Sequence, residues 1–182
     1  MNTFILGQSY TGKSPLAKEV ARLTGAQHIM ASEWVREEYS VPHGTREDFI
    51  AGITAYSLQR LQEEPNVCVD YIHAHYDLTR SSVIEGVRNP QNFVHLFDYR
   101  HDHVIELIHV GNPYPKTTFE EGLSVIGSYL DWLSKCGLFD PTRRNRYEFN
   151  CLYRAEKKNP SENSLDEVIT QVREVYDGSC RN

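Results

Sequence analysis

The residues best suited to chemistry lie near the start of the chain, in the stretch Gly7-Gln-Ser-Tyr-Thr-Gly-Lys-Ser14. This stretch fits the pattern G-x-x-x-x-G-K-[ST], whose glycines let successive backbone N–H groups point at an anion. In such a phosphate-binding P-loop the lysine reaches the β- and γ-phosphates of a nucleotide, and the last hydroxyl binds Mg²⁺. We therefore predict that ATP is bound by Gly7, Gln8, Ser9, Tyr10, Thr11, Gly12, Lys13 and Ser14, with Lys13 also catalytic and Ser14 also a metal ligand.

The residues on either side of the loop predict a strand before it and a helix after it. Thr3 to Leu6 are typical of a short buried strand, and the segment 15–23 is typical of a helix. Pro15 fits the first turn of that helix, where its missing N–H costs little. The helix N-terminus adds partial positive charge towards a phosphate. A glycine loop that only turns the chain is the alternative, and the strand and helix around the motif favour phosphate binding.

Predicted strands alternate with predicted helices along the rest of the chain. Further strands are expected at 27–30, 82–84, 104–110 and 147–151, with helices between them and a last helix after Ser164. This alternation predicts an α/β fold in which a parallel sheet is flanked by helices in three layers. The length of 182 residues fits one domain, which we place at 1–182.

Two polar clusters follow strands of the predicted sheet, and both are expected near the P-loop. Ser32 to Arg36 come after the second strand, and Glu85 to Arg88 come after the third. Because ligands bind at the carboxyl ends of parallel strands, the two clusters and the P-loop are expected to meet at one edge of the sheet.

The same clusters resemble segments of the nucleoside-monophosphate kinases, the P-loop group that includes adenylate kinase. Ala31-Ser-Glu-Trp-Val-Arg36 is similar to the family segment in which a hydroxyl residue precedes an arginine that binds the acceptor phosphate. Val83-Ile-Glu-Gly-Val-Arg88 is similar to the segment with an acidic residue, a glycine and an arginine, although adenylate kinases have Asp at the position of Glu85. The segment 84–97 and the end of the chain are also similar to dephospho-coenzyme A kinase-like and phage deoxynucleotide kinase-like proteins.

This resemblance implies roles for particular residues. Acceptor binding is expected of Ser32, Arg36 and Arg88, and metal binding of Ser14 and Glu85, with Glu85 and Arg88 also catalytic. A helical segment at 32–80 is expected to bind the acceptor. No arginine occurs in 111–138, where the family's lid arginines are expected, so the lid-like segment is placed at 111–146 and Arg144 is assigned to the transition state. A solvated loop is the alternative for the segment 140–146.

Two carboxylates compete for the role of metal partner. Val67 to Val69 are compatible with a strand that ends in Asp70, although Asn66 also fits the cap of a helix over 66–78. Glu85 is preferred because Gly86 and Arg88 follow it directly. Four histidines in pairs two residues apart are expected to be structural or on the surface, because that spacing does not put two ligands on one helix face.

Composition narrows the classes of partner. A net charge of −6 supplies no basic field for a nucleic-acid polymer or a membrane surface, so neither is expected. The four cysteines form no C-x-x-C pair, and a strand directly at the start leaves no room for a signal peptide. Reduced thiols and a cytoplasmic location are therefore expected.

Three functions agree with these residues. The preferred one is a P-loop nucleotide kinase, with ATP and Mg²⁺ as cofactors, that transfers a phosphoryl group to a nucleoside or deoxynucleoside monophosphate. The second is a kinase of dephospho-coenzyme A or another nucleotide-like small molecule. The third is a nucleotide-binding sensor or interaction protein with weak or no turnover. The oligomeric state follows from none of these residues.

Overall fold

The computed structural model describes residues 1–8, 11–39, 46–109, 118–149 and 165–179. In this part of the chain five strands form one sheet, in the order β2-β3-β1-β4-β5, and every neighbouring pair is parallel. The strands are β1 (Asn2–Gly7), β2 (Gln27–Met30), β3 (Ser82–Glu85), β4 (His103–His109) and β5 (Arg144–Phe149). Both faces of the sheet are covered by helices, which confirms the predicted α/β fold class.

Seven α-helices are described, and they divide between the two faces of the sheet. They are α1 (Lys13–Thr24), α2 (Glu33–Glu38), α3 (Arg46–Glu63), α4 (Val67–His75), α5 (Pro90–Leu96), α6 (Thr118–Lys135) and α7 (Leu165–Ser179). Helices α1 and α7 share one core cluster with the sheet, whereas α2, α4, α5 and α6 share the other. Among these described helices, none is long and apolar enough to cross a membrane.

Alternate residues of the strands supply the two cores. On β1, Phe4 packs towards α5 with its ring centroid 5.2 Å from that of Phe93, whereas Ile5 packs with Leu16 of α1. The same alternation places Ile84 in the core cluster that includes α5 and Val83 in the core cluster that includes α1. Because β1 and β3 are buried on both faces, the centre of the sheet is the buried middle layer of the fold.

Local sequence signals explain several helix ends. The Asn89 side chain accepts a hydrogen bond of 3.1 Å from the backbone N–H of Asn92 at the start of α5, and Pro90 occupies the first turn. Gly25 ends α1 with a left-handed φ of 66°, which favours glycine. Ser164, after which the last helix is predicted, lies outside the described residues.

The alternative of a strand over 67–69 is wrong. Val67–His75 forms helix α4 with Asn66 as its N-cap residue. Cys68 and Ile72 lie four positions apart on one face of the helix and are buried in the core cluster that includes α5. Val69 is buried as well. This packing stabilises a helix and leaves Asp70 exposed in its first turn.

The last strand begins earlier than the sequence predicts. The second half of the segment 140–146 is therefore part of a strand and not the solvated loop that was the alternative. A 3-10 turn spans Pro141–Arg143, and β5 starts directly at Arg144 rather than at Tyr147. Parallel pairing with β4 aligns Val104 with Arg144, and the charges of this polar strand are matched by Glu106 on β4. The predicted strand end at Cys151 lies outside the described residues.

Candidate functional site

The P-loop connects the end of β1 to the start of α1, and its glycines are required by close approaches. Gly12 has a φ of 80° at the N-cap position of α1, a left-handed conformation that favours glycine. A Cβ on Gly7 would lie 2.9 Å from the carbonyl oxygen of Leu107 and 2.9 Å from Oγ1 of Thr11. The backbone is thus shaped for a turn that any larger residue would disturb. Ser9 and Tyr10 lie outside the described residues.

Hydrogen bonds within the loop converge on the carbonyl oxygen of Gln8. Thr11 Oγ1 donates to it at 2.9 Å, and the Lys13 ammonium donates to it as well. Lys13 is 7% exposed, so its charge lies inside the loop and not on the protein surface. The ammonium and the first N–H groups of α1 make this the most favourable place in the loop for a phosphate.

Ser14 and Glu85 bring two side-chain oxygen groups together beside the P-loop. Ser14 Oγ donates to Glu85 Oε2 at 2.8 Å, and the Glu85 side chain is 3% exposed. The register between β1 and β3 aligns Ile5 with Glu85, which brings the end of β3 beside the P-loop. A hydroxyl and a carboxylate are hard oxygen ligands of the kind Mg²⁺ prefers, so the residues fit this cation.

Asp70 does not compete for that position. It is exposed on α4, whereas Ser14 and Glu85 touch each other directly beside the loop. In the part of the chain that is described, no group of three or more His, Cys, Asp or Glu side chains is placed to hold a metal. The pair Ser14 and Glu85 is therefore the metal-binding candidate that the geometry supports.

His28 is a residue of this site that sequence reasoning missed. Its Nε2 lies 2.9 Å from Glu85 Oε1, on the carboxylate oxygen that Ser14 does not contact. The available signal was the alternation of β2, which places His28 and Met30 on the face opposite to the buried Ile29.

A cavity of about 390 Å³ opens beside the P-loop, a size that suits a small ligand. Its walls bring together residues from the loop and from both polar clusters that follow strands. Lining residues include Lys13, Ser14, Ser32, Arg36, Glu85 and Arg88. The predicted meeting of the three clusters at one edge of the sheet is thus observed, with Arg36 exposed and Arg88 half-buried.

Arg36 is carried by the short helix α2, which is fixed to its neighbours through its acidic side chains. The hydroxyl of Tyr76 donates to Glu33, and Tyr71 donates to Glu37 at 2.7 Å. Burial, followed by the bond to Glu33, raises the pKa of Tyr76 to about 12. Both phenols therefore remain donors at neutral pH and hold α2 against α4.

Arg88 is positioned by a backbone contact with α6. The carbonyl oxygen of Arg88 occupies the place that a Cβ on Gly122 would need, and Pro90 Cδ lies 3.4 Å from that place. A second constraint is the left-handed φ of 81° at Gly86, which turns the chain after β3. The loop that presents Arg88 to the cavity is thus shaped by two glycines, one of them remote in sequence.

Asn92 is a second cavity residue that sequence reasoning missed. It is 2% exposed, and its Oδ1 has no hydrogen-bond partner among the described residues. A buried amide oxygen without a donor costs free energy, which a ligand with an N–H or O–H group would recover. Asn92 lies in the first turn of a capped helix, and nothing in that sequence pattern predicts that its amide oxygen is buried without a donor.

Arg144 does not line the cavity that holds Lys13 and Glu85, but it lines a second cavity of about 310 Å³ together with Gly7 and Gln8 of the P-loop. Its guanidinium donates to Glu106 Oε1 at 2.8 Å and to Asp131 Oδ1 at 2.5 Å. Desolvation lowers the pKa of Arg144, but the bonds to Glu106 and Asp131 outweigh it and the net shift is upward. Arg144 begins β5 and bridges β4 to α6 through these bonds, and its role in the transition state stays a prediction.

Comparison with known proteins identifies neighbours among solved structures only. No protein-family model and no curated protein matches the chain. A putative kinase from Chloroflexus aurantiacus is similar with 10% identity and a TM-score of 0.43, over 97% of this chain and 96% of that chain. Shikimate kinase from Bacteroides thetaiotaomicron has 15% identity and a TM-score of 0.43, over 97% of this chain and 98% of that chain. Dephospho-CoA kinase from Campylobacter jejuni has 14% identity and a TM-score of 0.42, over 98% of both chains. The sheet order and the loop after β1 by themselves show the α/β fold of a P-loop domain.

Proposed function

We propose that this protein is an ATP-dependent phosphotransferase that acts on a small phosphate-bearing acceptor, a nucleoside or deoxynucleoside monophosphate. The observation that carries the proposal is the composition of one cavity. Lys13 and Ser14 of the P-loop, the buried carboxylate of Glu85, and the two arginines Arg36 and Arg88 all line it.

Each of these groups has a part in phosphoryl transfer, which depends on positioning and charge neutralisation. Lys13 and the loop N–H groups bind the donor phosphates. Ser14 and Glu85 hold Mg²⁺, which supplies charge neutralisation when bound. Arg36 and Arg88 orient the acceptor phosphate, because a guanidinium pairs with two oxygens at once and a lysine does not.

The remaining walls of the cavity support an acceptor with a flat, partly polar body. Trp34, Ile53 and Leu61 provide apolar surface, and Thr54 supplies a hydroxyl. Asn92 adds the amide whose oxygen is buried without a partner. A nucleobase combines an apolar face with N–H groups at its edge, which fits this mixture better than an unsubstituted sugar or a fatty chain.

One observation favours a different candidate, a nucleotide-binding sensor. Arg144, the arginine assigned to the transition state, is bound to Glu106 and Asp131 instead. Without such a group, charge that develops on the transferred phosphoryl group is stabilised less, and turnover falls. The two candidates differ in one measurable property, which is acceptor-dependent consumption of ATP.

The test is an ATP-consumption screen over ribo- and deoxynucleoside monophosphates, with dephospho-coenzyme A included. We expect at least one monophosphate to accelerate ADP formation by wild type, and Lys13→Ala to abolish that acceleration. Binding of ATP without acceleration by any acceptor would favour the sensor. A rate that survives in Lys13→Ala would remove the P-loop from the mechanism.

A further inference from the structure

The carboxylate of Glu85 is bound at both of its oxygens by side chains from different elements. Ser14, at the start of α1, donates to Oε2 at 2.8 Å, and His28, on strand β2, contacts Oε1 through Nε2 at 2.9 Å. The Glu85 side chain is 3% exposed and the His28 side chain is 21% exposed. The three groups form a chain of two hydrogen bonds that runs across the sheet towards the P-loop.

The sheet register explains why His28 reaches this carboxylate. β2 pairs with β3 so that His28 aligns with Val83 and Met30 with Glu85. Ile29 and Ile84 occupy the core on one face of the sheet, so His28 and Glu85 point to the opposite face, where α1 begins. β2 is the edge strand of the sheet, and its imidazole closes the outer side of the Glu85 site.

The chemistry of the carboxylate fixes the role of the imidazole. An ionised carboxylate only accepts hydrogen bonds, so the His28 Nε2 carries the proton in this pair. This bond occupies Oε1 and fixes the rotation of the carboxylate, which leaves Oε2 directed at Ser14. Without it, a nearly buried oxygen would lose its donor and the carboxylate would rotate more freely about its last bond.

We propose that His28 is a positioning residue of the metal site, which holds Glu85 in the orientation that Ser14 and Mg²⁺ require. The inference rests on the proposed function, because it takes Ser14 and Glu85 as the groups that bind the cation of the ATP complex. His28 acts through Glu85 and is not among the residues that line the cavity beside the P-loop. Loss of such an outer partner typically lowers metal affinity by about tenfold to a hundredfold.

Three variants test this role in the full chain. His28→Leu removes the hydrogen bond, and His28→Gln retains an N–H donor of similar reach. Gln27→Leu is the matched control, because Gln27 lies on the same strand but its side chain bonds to Ser82 Oγ at 2.8 Å and not to Glu85. ATP binding is titrated without acceptor, once in EDTA and once over a series of Mg²⁺ concentrations, and the melting temperature of each variant is recorded.

We expect His28→Leu to need about tenfold or more Mg²⁺ for the same ATP affinity, with ATP affinity in EDTA unchanged. His28→Gln should recover most of the effect, and Gln27→Leu should leave the Mg²⁺ dependence as in wild type. A Mg²⁺ dependence of His28→Leu equal to wild type would overturn the proposal, as would an equal loss of ATP affinity with and without Mg²⁺.

Three further outcomes separate this inference from the proposed function. If His28→Leu does not fold, His28→Asn, which is polar but too short for the bond, takes its place, and a wild-type Mg²⁺ dependence there overturns the inference. If wild type itself binds no ATP, the proposed function is wrong and this inference is wrong as well. Wild-type binding that is strengthened by Mg²⁺, with no effect of either His28 variant, rejects the inference alone.

Discussion

Ser14 and Glu85 are 71 positions apart in the sequence, and their side chains share a hydrogen bond of 2.8 Å. The bond joins the first turn of α1 to the last residue of β3, so one oxygen group comes from the P-loop side and the other from the central sheet. Its two oxygens come from the residue types that bind Mg²⁺, and this contact is the structural basis of the proposed metal site.

Glu85→Gln is expected to reduce the rate of phosphoryl transfer by about tenfold to a hundredfold, since a charged hydrogen-bond partner contributes roughly 1.5–3 kcal/mol. ATP affinity measured in EDTA should change little. The matched control is Asp70→Asn, an exposed carboxylate on α4, which should behave like wild type in steady-state kinetics. The opposite pattern, with activity lost in Asp70→Asn and kept in Glu85→Gln, would reverse the assignment.

Gly122→Ala is expected to destabilise the fold by about 1–3 kcal/mol, because the new methyl group meets the Arg88 carbonyl and forces α6 or the Arg88 loop to shift. Acceptor KM should rise as well, since Arg88 is displaced. Gly127→Ala is the control on the same helix. Its Cβ would lie 3.6 Å from Arg144 Nη2, an ordinary contact, so the melting temperature should stay level or increase. Equal melting temperatures for the two variants would contradict this account.

Arg144→Ala is expected to lower the free energy of unfolding by about 3 kcal/mol, because it leaves Glu106 with a nearly buried charge and one partner fewer. The kcat per folded molecule should be close to wild type. Arg100→Ala, at an exposed position over the Tyr99 ring, serves as the control and should be nearly neutral. A wild-type unfolding curve together with a strong fall in kcat would support the catalytic role predicted for Arg144.

Acid should weaken the contact between α1 and α7. Hydrogen bonds from Arg22, and then from Arg173, lower the pKa of Glu19 from 4.5 to about 2. A carboxyl whose pKa is depressed in the folded state stabilises it above pH 4.5 and loses this effect as the pH falls towards about 2. The melting temperature of wild type should therefore exceed that of Glu19→Gln at pH 6, with the difference shrinking as the pH falls from 4.5 to 3. A difference independent of pH would exclude this linkage.

The fold and the P-loop are predictable because local signals agree with tertiary packing. Gly12 needs a left-handed φ and follows a buried strand, and Asn89 caps α5 with its own side chain. Arg36 and Arg88 follow strands whose ends meet at one edge of a parallel sheet, so their neighbourhood follows from the strand assignments. For these residues the local sequence itself contains the conformational preference or interaction that forms the observed structure.

The errors arise where long-range contacts decide the structure. Val67 to Asp70 are compatible with strand or helix, and burial of Cys68 and Ile72 beneath the sheet selects the helix. Arg144 belongs to a strand because Glu106, on another strand, supplies its counter-charge. His28 and Asn92 have no motif, and their environments depend on register and on the packing of α5. None of these causes is present within a short window of sequence.

The proposed function requires above all that Arg36 and Arg88 bind the phosphate of an acceptor beside the P-loop. The most direct measurement is steady-state kinetics of Arg36→Ala and Arg88→Ala with the best monophosphate from the screen, beside ATP titrations of both variants. Arg80→Ala, exposed just before β3, is the matched control. We predict a loss of about 2 kcal/mol, roughly thirtyfold in kcat/KM for the acceptor, with ATP affinity unchanged. Equal losses of ATP and acceptor binding, or no acceptor-dependent turnover by wild type with any monophosphate, would contradict the claim.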